Sequence, residues 1–276
     1  MNYKILNLIQ NSSPLVMGIL NITPDSFSDG GLFIQKDIAI NHVKQMIVDG
    51  ADIIDVGGES TRPGASEVSI DEELLRVIPV IEAIRQASDV AISIDTSKPE
   101  VMREAIKAGA NMINDVNALQ AETAVETAVK LDVPVCLMHM QGQPRTMQSN
   151  PEYIDVVNEV ITFLKDRVSV CRNAGMSSEN IIVDPGFGFG KTLGHNLTLF
   201  KHLEEFTKLN SALLVGVSRK SMIGAVLDNA PADERLFGSV ALATLAAWKN
   251  ANILRVHDVK ATVDAIRLCQ AVKETE

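Results

Sequence analysis

The sequence predicts an α/β chain folded as a (β/α)8 TIM barrel, and three observations carry that prediction. Short apolar runs recur eight times along the 276 residues, helical patterns separate them, and polar residues stand at their C-terminal ends. Near-continuous runs of Val, Ile and Leu suit parallel strands covered on both faces. Eight strand–helix units fit either a closed barrel or a doubly wound sheet. The count favours the barrel, as does a length near the roughly 250 residues such barrels take. No linker, low-complexity stretch or shift of composition interrupts the rhythm. A single domain over 1–276 is expected, with the barrel proper at 14–273.

The strands are expected at Leu15–Leu20, Asp52–Val56, Val90–Ile94, Met112–Asp115, Val135–His139, Ile181–Asp184, Leu213–Val217 and Ile253–His257. Leu75, Ile78, Ile81 and Ile84 repeat at helical spacing after an acidic first turn, Asp71 to Glu73. Pro99 suits the first turn of a short helix that Gly109 ends. Ile154, Val157, Ile161, Leu164, Val168 and Cys171 make one helix face, closed by Gly175. Leu236, Val240, Ala243 and Ala247 mark another helix before the last strand. Two connections after strands, Ile22–Phe33 and Gly57–Ser69, are long and rich in Gly, Ser and Pro. Long loops in compact domains tend to be lids over a site.

Composition narrows the function classes. With 46% hydrophobic and 22% charged residues, the chain is ordinary globular material. A net charge of -10 argues against a nucleic-acid partner, which needs a basic face. It leaves room for a local cationic cluster that holds a small anion. Cys136, Cys171 and Cys269 lack metal-ligand spacing and read as small buried apolar residues, as in a reducing compartment. The opening MNYKILNLIQ is interrupted by polar residues from Gln10 to Ser13 before it reaches signal-peptide form. No run is long enough to span a bilayer. The expectation is a cytoplasmic protein with no membrane partner.

The chemistry gathers at the strand ends: Asn21, Asp55, Asp95, Asn114, His139, Asp184, Ser218 with Arg219 and Lys220, and Arg255 with His257. One Asp ending a strand is usually a cap or a turn former. Polar residues at all eight ends exceed that explanation, because buried polar groups need partners. In a barrel these ends converge on one face, where active sites are built. Asp55, Asp95, Asp184 and Asn114 supply acceptors for a ligand with several N–H donors, such as an aminopyrimidinone edge. Arg62, Arg219, Lys220, Arg255 and His257 supply cationic groups for phosphate or carboxylate. Asn21 suits a hard cation through its side-chain oxygen, or simply a turn before Thr23-Pro24. Gly190-Lys191-Thr192 imitates the end of a P-loop, but Pro185 stands where that motif needs its first Gly. With Gly186 and Gly188, it reads as a flexible turn. His42, His195 and His202 carry no motif and read as surface or capping residues. His139 is open between structural and ligand roles, while His257 shares a strand face with Arg255.

Seven motifs then follow in order: MGILNITPDSFSDGG from Met17, DIIDVGGESTRPGA from Asp52, SIDTSKPEV from Ser93, GANMINDV from Gly109, DPGFGFGK from Asp184, GVSRKSMIG from Gly216 and RVHDV from Arg255. In these the chain resembles the dihydropteroate synthase family of pterin-binding barrels, from about Pro14 to near the C-terminus. The resemblance implies a transferase of folate biosynthesis. It would join 6-hydroxymethyl-7,8-dihydropterin pyrophosphate to 4-aminobenzoate, releasing pyrophosphate, with Mg²⁺ as cofactor and a homodimer as the assembly. It implies a pterin pocket of Asp95, Asn114, Asp184 and Lys220, with Met138, Phe189 and Gly216 around the ring and Asp55 beside it. Asn21, Thr61, Arg255 and His257 would hold the pyrophosphate end, Asn21 reaching the metal. Phe27, Arg62, Pro63, Ser218 and Arg219 would form the aminobenzoate site, the one sulfonamides occupy in the family. Asp95, Lys220, Asp55, Arg255 and His257 are the residues expected to carry catalysis. Two rivals share the fold: a pterin-binding methyltransferase, which needs neither Arg255 with His257 nor the Ser218-Arg219-Lys220 run, and a member that has lost catalysis.

Overall fold

The computed structural model describes residues 3–9, 13–22, 32–60, 66–143 and 146–275. Its eight strands close into an all-parallel barrel in chain order, with the first paired to both the second and the eighth. They are β1 (Leu15–Asn21), β2 (Ile53–Gly57), β3 (Ala91–Asp95), β4 (Met112–Asp115), β5 (Val135–Met138), β6 (Ile181–Asp184), β7 (Ala212–Val215) and β8 (Ile253–Val256). The helices are α1 (Tyr3–Ile9), α2 (Leu32–Val48), α3 (Ile70–Ala87), α4 (Pro99–Ala108), α5 (Ala124–Leu131), α6 (Val156–Asn173), α7 (Leu193–Lys201), α8 (Glu204–Thr207), α9 (Ser221–Val226), α10 (Leu236–Trp248) and α11 (Val259–Lys273). Among the described residues, no helix is long and apolar enough to cross a membrane.

Every expected strand is present; β4 and β6 have the expected bounds, and the others differ by at most two residues at either end. The shift matters at β2, which runs on to Gly57, so that Asp55 lies mid-strand rather than at its end. The acidic start of α3 is as expected, and Ser69 caps it by accepting from the Glu72 amide. Two helix faces need correction. Leu75 is exposed, and α3 buries Val77, Val80, Ile81 and Ile84 instead. Ile154 lies before α6 in solvent, and that helix buries Val156, Val160, Leu164, Val168 and Cys171. In both, the apolar positions outnumber those a single face can hold. Packing against the sheet selects a stripe, and the surplus stays outside. Helices α1 and α2 carry no expectation from the sequence.

Strand geometry sorts the barrel interior into layers, because alternate residues face the same side. A lower apolar layer contains Met17, Ile53, Ala91, Met112, Cys136, Ile182, Leu214 and Ile253, with Ile5 of α1 packed beneath. The opposite faces of the strands pack against the helices in a second, larger core that includes Ile54, Ile92, Ile113, Val183 and Leu254. Two residues further along each interior stripe stand Ile19, Asp55, Ser93, Asn114, Met138, Asp184, Gly216 and Arg255. Five of those eight are polar. The apolar layer is the floor of the site and the polar layer its wall.

Candidate active site

At the barrel mouth one guanidinium organises the wall. Arg255 Nε lies 2.6 Å from Asp55 Oδ2, and its Nη2 lies 2.7 Å from Asp95 Oδ2. Asn114 Nδ2 donates to the same Asp55 oxygen at 3.1 Å. The remaining Asp55 oxygen and the Ser93 hydroxyl are fully buried with no hydrogen-bond partner among the described residues. Buried acceptors left open are costly unless something else fills them, which marks this wall as a ligand seat.

The other half of the wall is built by the turn after β6. Asp184 Oδ1 accepts from the Gly186 amide at 2.7 Å. The Lys220 ammonium donates to the Phe187 carbonyl and lies 4.6 Å from the centre of the Phe189 ring. This turn is held rigidly, contrary to the flexible turn expected. Gly186 has φ of +71°, and a Cβ there would stand 1.8 Å from the His139 carbonyl oxygen. At Gly190, φ +63°, a Cβ would stand 2.4 Å from the Gln141 carbonyl oxygen. Only glycine permits this conformation at this proximity. Lys191, the P-loop imitation, is buried and bonded to backbone carbonyls of the same turn. His139 is structural: its Nδ1 lies 2.9 Å from Lys191 Nζ, and its ring packs edge-on against Phe163.

Burial tunes the charges. Asp95 is pushed up to about 7, chiefly by burial; Arg255 counters the shift, while Asp55, Asp115 and Glu73 reinforce it. Asp184 is likewise raised by burial, against the pull of Lys220 and the Gly186 amide. Lys220 is lowered to about 8 by burial, with Asp184 opposing the shift and Arg255 adding to it. For Arg255 burial works against its charge, but Asp55 and Asp95 outweigh burial and hold the guanidinium ionised. The result is a dry site with charges of both signs a few ångströms apart, the setting in which electrostatic effects are largest.

The remaining expected residues fall around this wall. Met138 is buried beside β6, and Gly216 leaves room next to Arg255 and Asp184. Ser218 Oγ accepts from the His257 amide at 3.1 Å and lies 3.1 Å from its Nδ1. Arg219 adopts φ +57° and forks onto Asp258, just before α11, so its guanidinium is already paired. Asn21 closes β1. Above Gly57, where a Cβ would stand 3.5 Å from Asp95 Cβ, Asn21 Oδ1 and Asp95 Oδ2 come together, 3.6 and 3.7 Å from that point. These are hard oxygen donors of the kind Mg²⁺ takes, alongside phosphate oxygens and water. Among the described residues no cluster of three His, Cys, Asp or Glu is placed to hold a metal. Phe27, Thr61, Arg62 and Pro63 lie outside the described residues.

Three features escaped the sequence reading. Ser93 belongs to the wall, and only its place two residues after Ala91 could have shown it. Asp258 partners Arg219. At the base of the second long connection, Lys98 Nζ bridges Glu59 and the buried Glu73 at 2.5 Å each.

Comparison with known proteins agrees with this architecture. The model of the pterin binding enzyme family matches residues 17–257. The chain is 56% identical over 270 residues to the dihydropteroate synthase of Haemophilus influenzae, covering 98% of this chain and 97% of that one. The Yersinia pestis dihydropteroate synthase, solved with a sulfonamide drug, superposes with a TM-score of 0.91 at 52% identity over 96% of both chains. The Xanthomonas albilineans enzyme, solved with 4-aminobenzoic acid, gives 0.91 at 48% identity, over 96% of this chain and 94% of that one. With its motifs in register, its barrel closed and its polar wall at the strand ends, the chain belongs to the pterin binding enzyme family and, within it, to the dihydropteroate synthases, transferases of folate biosynthesis.

Proposed function

We propose that this barrel joins 6-hydroxymethyl-7,8-dihydropterin pyrophosphate to 4-aminobenzoate by a dissociative substitution, with the pterin seated on Asp95, Asn114, Asp184 and Lys220. The observation that carries the reading is the wall of acceptors at the barrel mouth, Asp95, Asn114 and Asp184, with the Lys220 ammonium beside Asp184. An aminopyrimidinone offers the N–H donors such a wall lacks, and Lys220 supplies the donor for its oxygen or ring nitrogen. Met138 and Phe189 are positioned to enclose the ring.

An electron-rich dihydropterin can release pyrophosphate from its exocyclic methylene and leave a cation spread into the ring. Asp55, Asp95 and Asp184 stabilise that cation by their fixed charge. Arg255 and His257, facing one side of the site from β8 and its end, stabilise the departing anion. Asn21 is the protein oxygen assigned to Mg²⁺, which when bound neutralises charge on the pyrophosphate. Ser218 and Arg219 form the described part of the aminobenzoate site; that the similar X. albilineans enzyme was solved with 4-aminobenzoic acid supports the choice of substrate. The aniline nitrogen is neutral at pH 7 and attacks the methylene without a general base, losing its proton to solvent afterwards. We place the enzyme in the cytoplasm, as its three free buried cysteines suit. We assign it a homodimer built on the exposed apolar residues of α10 and α11: Phe237, Leu245, Trp248, Leu268 and Val272.

The test is turnover of the purified protein with both substrates. Dihydropteroate should form with one pyrophosphate released, and release should depend on added 4-aminobenzoate. Lys220→Ala and Asp95→Ala should each lower kcat/KM for the pterin substrate by about 100-fold or more, the scale of a lost buried charge-assisted contact. Near-normal activity in either variant refutes the seat.

A further inference from the structure

Lys191 is a buried lysine that the reaction, as proposed, does not use; burial, with Asp184 opposing and Lys220 adding to it, holds its pKa well below the usual lysine value. Lys191 is 3% exposed, and its Nζ has four neighbours within hydrogen-bond distance: Gly186 O at 2.9 Å, Phe189 O at 3.0 Å, His139 Nδ1 at 2.9 Å and His139 O at 3.4 Å. Burial keeps the His139 ring neutral, its pKa lowered to about 3, so a ring nitrogen is able to accept. Among the described residues no other side chain makes two hydrogen bonds into this turn. Asn196 accepts from the Gly188 amide, Gln148 reaches the Gly188 carbonyl, and Tyr153 donates to the Gly190 carbonyl, one contact each.

What the turn carries makes this arrangement matter. The Gly186 amide orients the Asp184 carboxylate, and the Phe187 carbonyl receives the Lys220 ammonium. Lys191 ties Gly186 to Phe189 and so brackets Phe187 between its two anchor points. We propose that Lys191 is a positioning residue for pterin recognition: by closing the Gly186–Gly190 turn from beneath, it sets where Asp184 and Lys220 present their charges. The proposal rests on the pterin seat described above.

The experiment is a double-mutant cycle read by calorimetric binding of 6-hydroxymethylpterin and by steady-state kinetics. Lys191→Met keeps the apolar stem and removes the donors; Lys191→Gln restores donors to the carbonyls without the charge. Lys191→Met should weaken pterin binding and raise KM for the pterin substrate by about 10-fold, with KM for 4-aminobenzoate changed less than about twofold. Lys191→Gln should recover part of the loss. In a Lys220→Met background, the Lys191 substitution should cost clearly less than it does alone, because one of the two groups it positions is gone and only Asp184 remains. Equal weakening in both backgrounds, or wild-type pterin affinity in Lys191→Met, overturns the proposal. If circular dichroism shows Lys191→Met unfolded, the cycle is run with Lys191→Gln and read the same way. Should Lys220→Met alone leave pterin binding intact, the seat itself fails. If Lys220→Met weakens binding and Lys191→Met does not, only the role of Lys191 falls.

Discussion

Arg255 and Asp55 stand 200 positions apart in the chain, yet Nε of one lies 2.6 Å from Oδ2 of the other across the barrel mouth. Arg255 also holds Asp95, so one cation serves two buried carboxylates. Removing one partner of a buried pair strands the other's charge, at about 3–5 kcal/mol. Arg255→Ala should therefore be destabilised by that order at pH 8. Without the guanidinium, which counters the burial of Asp95, that carboxyl holds its proton to higher pH, so acidification neutralises it and the deficit shrinks towards pH 5. Urea unfolding of both proteins at the two pH values measures it. A deficit independent of pH would contradict this account.

Asp95 makes the converse prediction. Burial raises its pKa from 3.8 to about 7, so its contribution to stability is full below the unfolded pKa and is lost as pH rises through 7. Asn cannot titrate and still accepts from Arg255. Asp95→Asn should gain on the parent as pH rises, matching or exceeding it above pH 7 by about 1 kcal/mol, or about 2–4 °C in Tm for a chain of this size. Turnover should be lost at the same time. Thermal melts at pH 5.5 and 8.5 check the sign: a variant that loses ground as pH rises is incompatible with a destabilising Asp95 charge.

Gly186→Ala should be severe, since its Cβ would meet the His139 carbonyl oxygen at 1.8 Å with φ at +71°. Backbone rather than a pliant side chain is in the way. Either the fold loses more than about 3 kcal/mol or the turn moves and carries Lys220 with it. Tm and KM for the pterin substrate report the two outcomes, and a variant normal in both would show that the turn yields easily.

The homodimer is tested on its own face. Phe237 and Trp248 are exposed on α10, and Leu268 is exposed on α11. A contiguous apolar surface of this kind usually marks an association site. Phe237→Glu together with Trp248→Glu should give a monomer in sedimentation velocity, without loss of Tm beyond what dissociation causes. A parent protein that sediments as a monomer at micromolar concentration removes the assignment.

Much of this was written in the sequence. The eight strands were legible because parallel strands buried on both faces are short and uniformly apolar, a pattern few other elements produce. Asp95, Asn114, Asp184 and Arg255 were legible because charge at the end of such a run has no bland explanation when repeated. Ser93 was not, since a lone serine in VAISI looks like tolerated variation until the alternation places it beside Asp55. Leu75 and Ile154 were misassigned to buried faces because a helix with spare apolar residues has more than one candidate stripe. Lys191 resembled a phosphate ligand by local spelling, and only tertiary contacts with His139, 52 residues away, disclose its use.

The apolar layer beneath the wall, plugged by Ile5 of α1, turns the site into a blind well. Nothing enters or leaves through the bottom, so both substrates and both products share a single opening. On the proposed seat the pterin lies deepest and the pyrophosphate nearer the rim. On that seat traffic would be ordered by depth, the pterin compound entering before its partner and dihydropteroate leaving last.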